Sequence, residues 1–139
     1  EYKSGIILTP HLKEMSRLIE EEITEIQSNL PKAAMKMADQ DHIIVLKDAR
    51  TIVSDGNAPS YINMSGNNGM ATGGSGDILT GIIAGLCAQH MPLSEAARLG
   101  VYLHGCAGDT AAFNKGFHSM TASDVLDGIP ELLKEITLD

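Results

Sequence analysis

Basic residues are scarce in this chain. Ten Lys and Arg stand against eighteen Asp and Glu over 139 residues, a formal charge of −8 at neutral pH. No Lys/Arg cluster is present to neutralise a phosphate backbone, which argues against a nucleic-acid surface. A small anionic ligand would need a local positive site. Cysteine is nearly absent. Cys87 and Cys106 both lie in apolar, helix-like contexts with no CxxC spacing, so they read as small buried hydrophobes and not as a disulfide or metal ligands. Long apolar runs are missing as well. The longest, around Ile82 to Ala88, is far short of the roughly 20 residues that span a bilayer. The opening EYKSGIILTP lacks the basic start and long apolar stretch of a secretory signal. The expectation is a cytoplasmic protein with no membrane partner.

What is present is an ordinary globular composition, 43% apolar and 20% charged, at a length that suits one domain. GIILTP reads as a buried strand bounded by Gly5 and Pro10. His11 to Glu22 carries Leu12, Met15, Leu18 and Ile19 at helical spacing, with Thr9 as the expected N-cap. Thr24 to Ala38 is a second helical segment with Pro31 in its middle, a sign of a late start or a kink. HIIVLK is a second strand, TIVSDG a third ending at the Asp55-Gly56 turn signal, and SYIN a short fourth. From Asp77 onward the pattern is helical. Ile78, Leu79, Ile82, Ile83 and Leu86 share one face. Ser94 to Phe113 follows with Ser94 as cap, and Ser123 to Ile136, capped by Ser123, places Val125, Leu126, Ile129, Leu132, Leu133 and Ile136 on one side. Strands mixed with helices, then helices alone, imply an α/β layered domain.

The junction into that helical run is unusual. GNNGMATGGSGDILTG, Gly66 to Gly81, holds six glycines in sixteen positions. A helix N-terminus exposes unpaired N–H groups and about +0.5 of an elementary charge, and so attracts anions wherever the chain permits close approach. Gly73-Gly74-Ser75-Gly76 removes the side chains that would block it, and successive amides there can form a concave nest around a phosphate oxygen. The segment follows neither the P-loop pattern nor the dinucleotide-binding GxGxxG spacing. Asp77 admits two interpretations: a first-turn helix cap, or a base that takes a proton from a hydroxyl while the nest stabilises a transferring phosphoryl group.

GGSGD opening an apolar helix resembles the anion-hole motif of ribokinase-superfamily enzymes. The wider set, NMSGNNGMATGGSGDILTGIIAGL, YLHGCAGDTAA and TASDVLDGIPELL, with IILTPH and VLKDART upstream, resembles the ADP/ATP-dependent NAD(P)H-hydrate dehydratases over nearly the whole chain. The resemblance implies a ribokinase-like three-layer α/β fold. It also implies repair chemistry: a nucleotide phosphorylates the hydroxyl added to the reduced nicotinamide ring, and phosphate is then eliminated to restore NADH or NADPH. By position, Asp77 would be the base and would contact the hydrated dinucleotide together with His11. Lys47, Asp48, Ala49, Arg50 and Thr51 would hold ADP or ATP, with Asn67, Gly73, Gly74, Ser75 and Gly76 at the phosphates. Mg²⁺ would be the cofactor, with no metal ligands assigned in the chain.

Without the resemblance, His11 reads as a surface or capping histidine and Lys47 as a solvated lysine or a point-charge phosphate partner. His104 and Asp109 read as structural or supporting groups, Asn63 and Asn67 as turn formers that the resemblance places beside the nucleotide, and Asp124 as a first-turn dipole partner. The chain departs from the family pattern in three places. HLKE stands for HPGE at His11 to Glu14, Lys47-Asp48 for Lys-Gly, and Asn68 for a common proline. Family members are also considerably longer. Residues 1–139 are therefore expected to be the C-terminal, nucleotide-binding part of a single ribokinase-like domain, a few strands followed by a helical run. The N-terminal part would be absent, and the chain would associate with that half or as a homo-oligomer. Two alternatives remain open: a small-molecule kinase acting on a vitamin-precursor alcohol, and a non-catalytic nucleotide-binding or assembly fragment.

Overall fold

A computed structural model describes residues 5–57 and 59–136, with the side chains of 135 and 136 outside the description. The chain divides into two compact units, residues 1–63 with 90–98, and residues 64–89 with 99–139.

The first unit is a sheet with its helices. Strand β1 (Ile6–Leu8) leads through α1 (Leu12–Ile19), α2 (Ile23–Ser28) and α3 (Leu30–Met35) to β2 (His42–Leu46), β3 (Ile52–Ser54) and β4 (Tyr61–Ile62). The strand order is β1-β2-β3-β4. β1 runs parallel to β2 with Ile7 opposite Ile43, whereas β3 is antiparallel to both neighbours, with Val45 opposite Val53 and Val53 opposite Tyr61. A parallel pair cannot be joined by a tight turn, and α1 to α3 supply the crossover. Met15, Ile26, Ala33, Ala34, Ile44, Leu46 and Ile52 form the buried cluster, with Leu8, Leu12 and Ile19 packed against it. Burying a side chain such as Ile26 or Leu46, both at 0% exposure, contributes roughly 1.5–3 kcal/mol.

Two local expectations are corrected here. His11, and not Thr9, caps α1. Its Nδ1 accepts the Glu14 amide while Glu14 accepts the His11 amide, and this reciprocal box satisfies two donors where a lone threonine satisfies one. The single helix expected over Thr24 to Ala38 is two short ones. Asn29 leaves helical geometry between them (φ −157°, ψ 79°), its side chain accepts the Lys32 amide, and Pro31 falls in the first turn of α3, where a missing N–H costs nothing.

The second unit is helical: α4 (Ser75–Ala88), α5 (Leu93–Lys115, from Leu99 onward) and α6 (Ala122–Ile136), preceded by a 3-10 turn at Asn68–Met70. Ala107, Ala111, Ala112, Met120 and Val125 form its buried cluster, with Met70, Ile78 and Ile129 against it. Neither serine caps as expected, because Ser94 and Ser123 both lie inside their helices. Pro92 accepts the first bond of α5, and Thr121 stands before α6 with its amide and hydroxyl both donating to Asp124. The stripe of α6 is narrower than its spacing suggested. Val125 is buried, whereas Leu126 and Leu133 are exposed; the Ile136 side chain lies outside the described residues. Cys87 and Cys106 are free thiols, half-buried and not fully buried. Among the described residues no helix is long and apolar enough to cross a membrane.

Candidate active site

In the first unit the polar candidates gather at the carboxyl ends of the parallel strands, where open α/β sheets place their ligand sites. Pro10 and His11 follow β1, and Lys47 follows β2. The Lys47 amide donates to the Pro10 carbonyl at 2.8 Å, and His11 and Lys47 form a parallel bridge. Lys47 to Thr51 is the five-residue hairpin loop between β2 and β3. Lys47 is half-buried, Asp48, Ala49 and Arg50 are exposed, and the Thr51 carbonyl accepts the Asn63 amide. Lys47 and Arg50 place two positive side chains in this loop of an acidic chain. Asp48, the departure from Lys-Gly, is exposed in this loop.

The HLKE departure is absorbed by the cap. Glu14 is held below the ordinary carboxylate range, first by the hydrogen bond from the His11 amide, which burial opposes and to which the charges of His11, Lys47 and Arg17 add less. A depressed folded value means that this bond stabilises the chain at pH above the unfolded value, 4.5, and is lost as pH falls through the folded value. Glu14→Gln is therefore expected to be less stable than the parent at neutral pH, and in thermal unfolding the gap should narrow as pH is taken down through and below the folded value.

In the second unit the glycine-rich stretch meets α4. The helix begins at Ser75, two residues earlier than the periodicity implied. Gly74 is its N-cap in the left-handed region (φ 91°) and, being glycine, offers no side chain to the exposed amides. Among the described residues, no backbone acceptor engages the amides of Gly74 and Gly76. These are the orphan donors that a capping side chain or an anion would satisfy. A methyl on Gly73 would meet nothing within 4 Å, so that flank of the turn is open. Asp77 is the third residue of the helix. It does not cap it; its carboxylate is exposed and has no hydrogen-bond or ion-pair partner among the described residues.

The stretch is fastened along α5. Ser65 Oγ donates to the Tyr102 carbonyl (3.1 Å), the Gly66 amide to Asp109 Oδ2 (2.9 Å), and Asn67 Nδ2 to both the Gly108 carbonyl and Asp109 Oδ1 (2.9 Å each). Asn67 Oδ1 accepts the Gly69 amide, and Ser75 Oγ lies 3.2 Å from His104 Nε2. Both Asn67 side-chain donors are thus spent inside the unit, which leaves only oxygen lone-pair capacity for a ligand. The sequence singled out His104, Asp109 and Asn67 as supporting groups but not the bonds between them, since their partners are far apart in the chain; Glu14 it did not single out, although the H-x-x-E spacing was a signal for its cap.

Residues 1–131 match the NAD(P)H-hydrate dehydratase family. The chain belongs to that family. Within it, the bifunctional NAD(P)H-hydrate repair enzyme of Moorella thermoacetica is 46% identical over 132 residues, 94% of this chain and 25% of that protein. The ADP-dependent (S)-NAD(P)H-hydrate dehydratase of Bacillus subtilis is 32% identical over 130 residues, 93% and 47% of the two chains. The crystal structure of the Bacillus subtilis ADP/ATP-dependent dehydratase, co-crystallised with ATP/Mg²⁺, is similar with a TM-score of 0.89 at 31% identity, covering 97% of this chain and 49% of that one. A ribokinase-like superfamily protein from Enterococcus faecalis is similar at 0.76 and 35% identity, covering 93% and 44%. The α/β fold is ribokinase-like, and the chain spans between a quarter and half of these dehydratase relatives.

Proposed function

We propose that this chain is the nucleotide-binding part of an ADP- or ATP-dependent NAD(P)H-hydrate dehydratase, with the whole reaction belonging to the longer protein that its relatives represent. The observation that carries this is Asp77: an exposed, unpaired carboxylate at a helix N-terminus with no side-chain cap, in a chain of the dehydratase family.

In this proposal Asp77 accepts the proton of the ring hydroxyl as that oxygen attacks the terminal phosphoryl group of ADP or ATP, releasing AMP or ADP. Hydroxide is a poor leaving group and phosphate a better one, so C–O cleavage then expels phosphate, and loss of a ring proton restores the reduced nicotinamide. Gly73, Gly74, Ser75 and Gly76 hold the transferring group with amides already oriented for it. Lys47 to Thr51 hold the adenine nucleotide, Asn67 shapes the turn before the phosphates, and His11 offers its exposed ring to the hydrated dinucleotide. Among the described residues no group of three His, Cys, Asp or Glu side chains is placed to hold a metal ion. Mg²⁺ keeps most of its waters and binds through one or two carboxylates together with substrate phosphates. Mg²⁺ would be carried on the nucleotide's phosphates, where its chemistry is to offset charge on the transferring phosphoryl group. Association with a second copy or with the rest of the longer protein belongs to the same proposal, supported by Phe113, 91% exposed, and by Phe117 just beyond α5.

The test is to incubate this chain, and the longest chain in which it occurs, with hydrated NADH or NADPH, Mg²⁺ and either nucleotide, and to follow recovery of reduced-nicotinamide absorbance. Recovery with stoichiometric phosphate release is expected. No recovery in any combination overturns the dehydratase proposal, and a stable phosphorylated product selects a kinase instead. The open flank at Gly73 makes a separate prediction. Gly73→Ala should leave thermal stability unchanged or slightly higher, yet raise the ADP Kd in calorimetry, because its methyl enters space reserved for the ligand.

A further inference from the structure

Glycine-rich anion sites carry an internal conflict. The residues that let a ligand approach are those that lose most conformational freedom on ordering. A cradle left to order itself on binding would subtract that cost from affinity, whereas one held beforehand would not. In the second unit the stretch from Gly66 to Gly76 is tied at both ends to one turn-and-a-half of α5. Asp109 takes the Gly66 amide and Asn67 Nδ2 at the front, and His104 Nε2 meets Ser75 Oγ at the rear. The front tie is doubled, since Asn67 also donates to the Gly108 carbonyl and accepts the Gly69 amide.

The chemistry of Asp109 is informative. A carboxylate beside an anion cradle opposes the ligand electrostatically. Here both carboxylate oxygens are engaged by N–H donors of the stretch itself, and such charge-assisted bonds are roughly twice as strong as neutral ones. The charge is spent on holding the loop. Ser75 is buried, at 7% exposure, in the first turn of α4. His104 therefore fixes the hydroxyl of the one cradle residue that has a side chain to misplace.

We propose that Asp109 and His104 are positioning residues for the phosphate cradle: α5 holds the glycine stretch in its anion-binding form before the nucleotide arrives. This rests on the nucleotide-phosphate reading of the cradle, and neither residue touches the reacting atoms.

The test measures ADP and adenosine affinities of the full chain by calorimetry for the parent, Asp109→Ala, Asp109→Asn and His104→Ala, alongside thermal unfolding. Adenosine lacks the groups that the cradle would hold, so a preorganising role separates the two ligands. The ADP Kd is expected to rise about tenfold in Asp109→Ala, with adenosine binding unchanged. Asp109→Asn, which keeps one acceptor in place, should restore about half of that loss on a logarithmic scale. His104→Ala should show the same ADP-selective effect, smaller. Equal losses for both ligands, or folding lost in both Asp109 variants, identify a purely structural tie and overturn the proposal. If the parent prefers ADP to adenosine and the variants keep that preference, the positioning role alone falls. If the parent shows no such preference, the nucleotide-phosphate reading falls first and takes the positioning role with it.

Discussion

Asp77→Asn is expected to lower kcat of the dehydratase reaction by about 10²–10⁴-fold, the range over which a positioned general base contributes. The substitution keeps size and shape and removes the proton acceptor. Nucleotide affinity should hold or tighten, because a negative charge is withdrawn from beside an anion. Stability should fall only slightly, since an acid in the first helical turn contributes about 0.3–1 kcal/mol through the helix dipole. Steady-state kinetics and calorimetry on the same preparation separate the two roles that the sequence left open. A helix-stabilising acid alone predicts a small drop in melting temperature with kcat intact, and that result would remove Asp77 from the chemistry. The proposal that Asp77 is the base rests on Gly74 occupying the cap position and on the Asp77 carboxylate having no partner among the described residues.

Gly105→Ala is expected to produce the largest stability loss among single-methyl changes in the second unit. A Cβ there would lie 2.7 Å from the Ser65 carbonyl carbon and 2.8 Å from its Cβ, with the Ser65 hydroxyl nearer still. Alanine is worth about 1 kcal/mol more than glycine inside a helix, whereas overpacking against a structure that cannot yield costs about 1–3 kcal/mol. The obstacle is partly backbone, so overpacking should win and the loop should move away. Ser65 precedes the Gly66 amide that Asp109 accepts, so ADP affinity should fall with stability. Gly81→Ala in α4 is the control. Nothing lies within 4 Å of its added methyl, and that variant should be about 1 kcal/mol more stable by helix propensity alone. Urea unfolding of the pair checks the sign of each; a stable Gly105→Ala would mean that the loop does not lie against α5 as described.

The two predictions mark different kinds of legibility. The apolar runs of β1 and β2 and the spacing of Leu79 and Ile83 announce their elements, because burial periodicity is a property of the local chain. The helix caps are not announced so well. His11 displaces Thr9 because a cap is chosen by reciprocal bonding, with Glu14 contributing the second half. Ser94 and Ser123 have the right chemistry two residues too late, and Thr121 with Asp124 takes the role at α6. Asn29 divides α2 from α3 where Pro31 suggested only a kink.

The sequence by itself determined the fold class, the glycine-rich turn at a helix N-terminus, the acid beside it and, through the ordered motifs, the family. Those are matters of composition and local spacing. Only the tertiary structure decided which polar side chains remain free to meet a ligand. Asn67 and Asp109, 42 residues apart, satisfy each other and the loop, while Asp77 keeps its carboxylate unpaired. The physical reason is that a hydrogen bond depends on distance in space and not along the chain, so the same residue types are spent in one place and available in another.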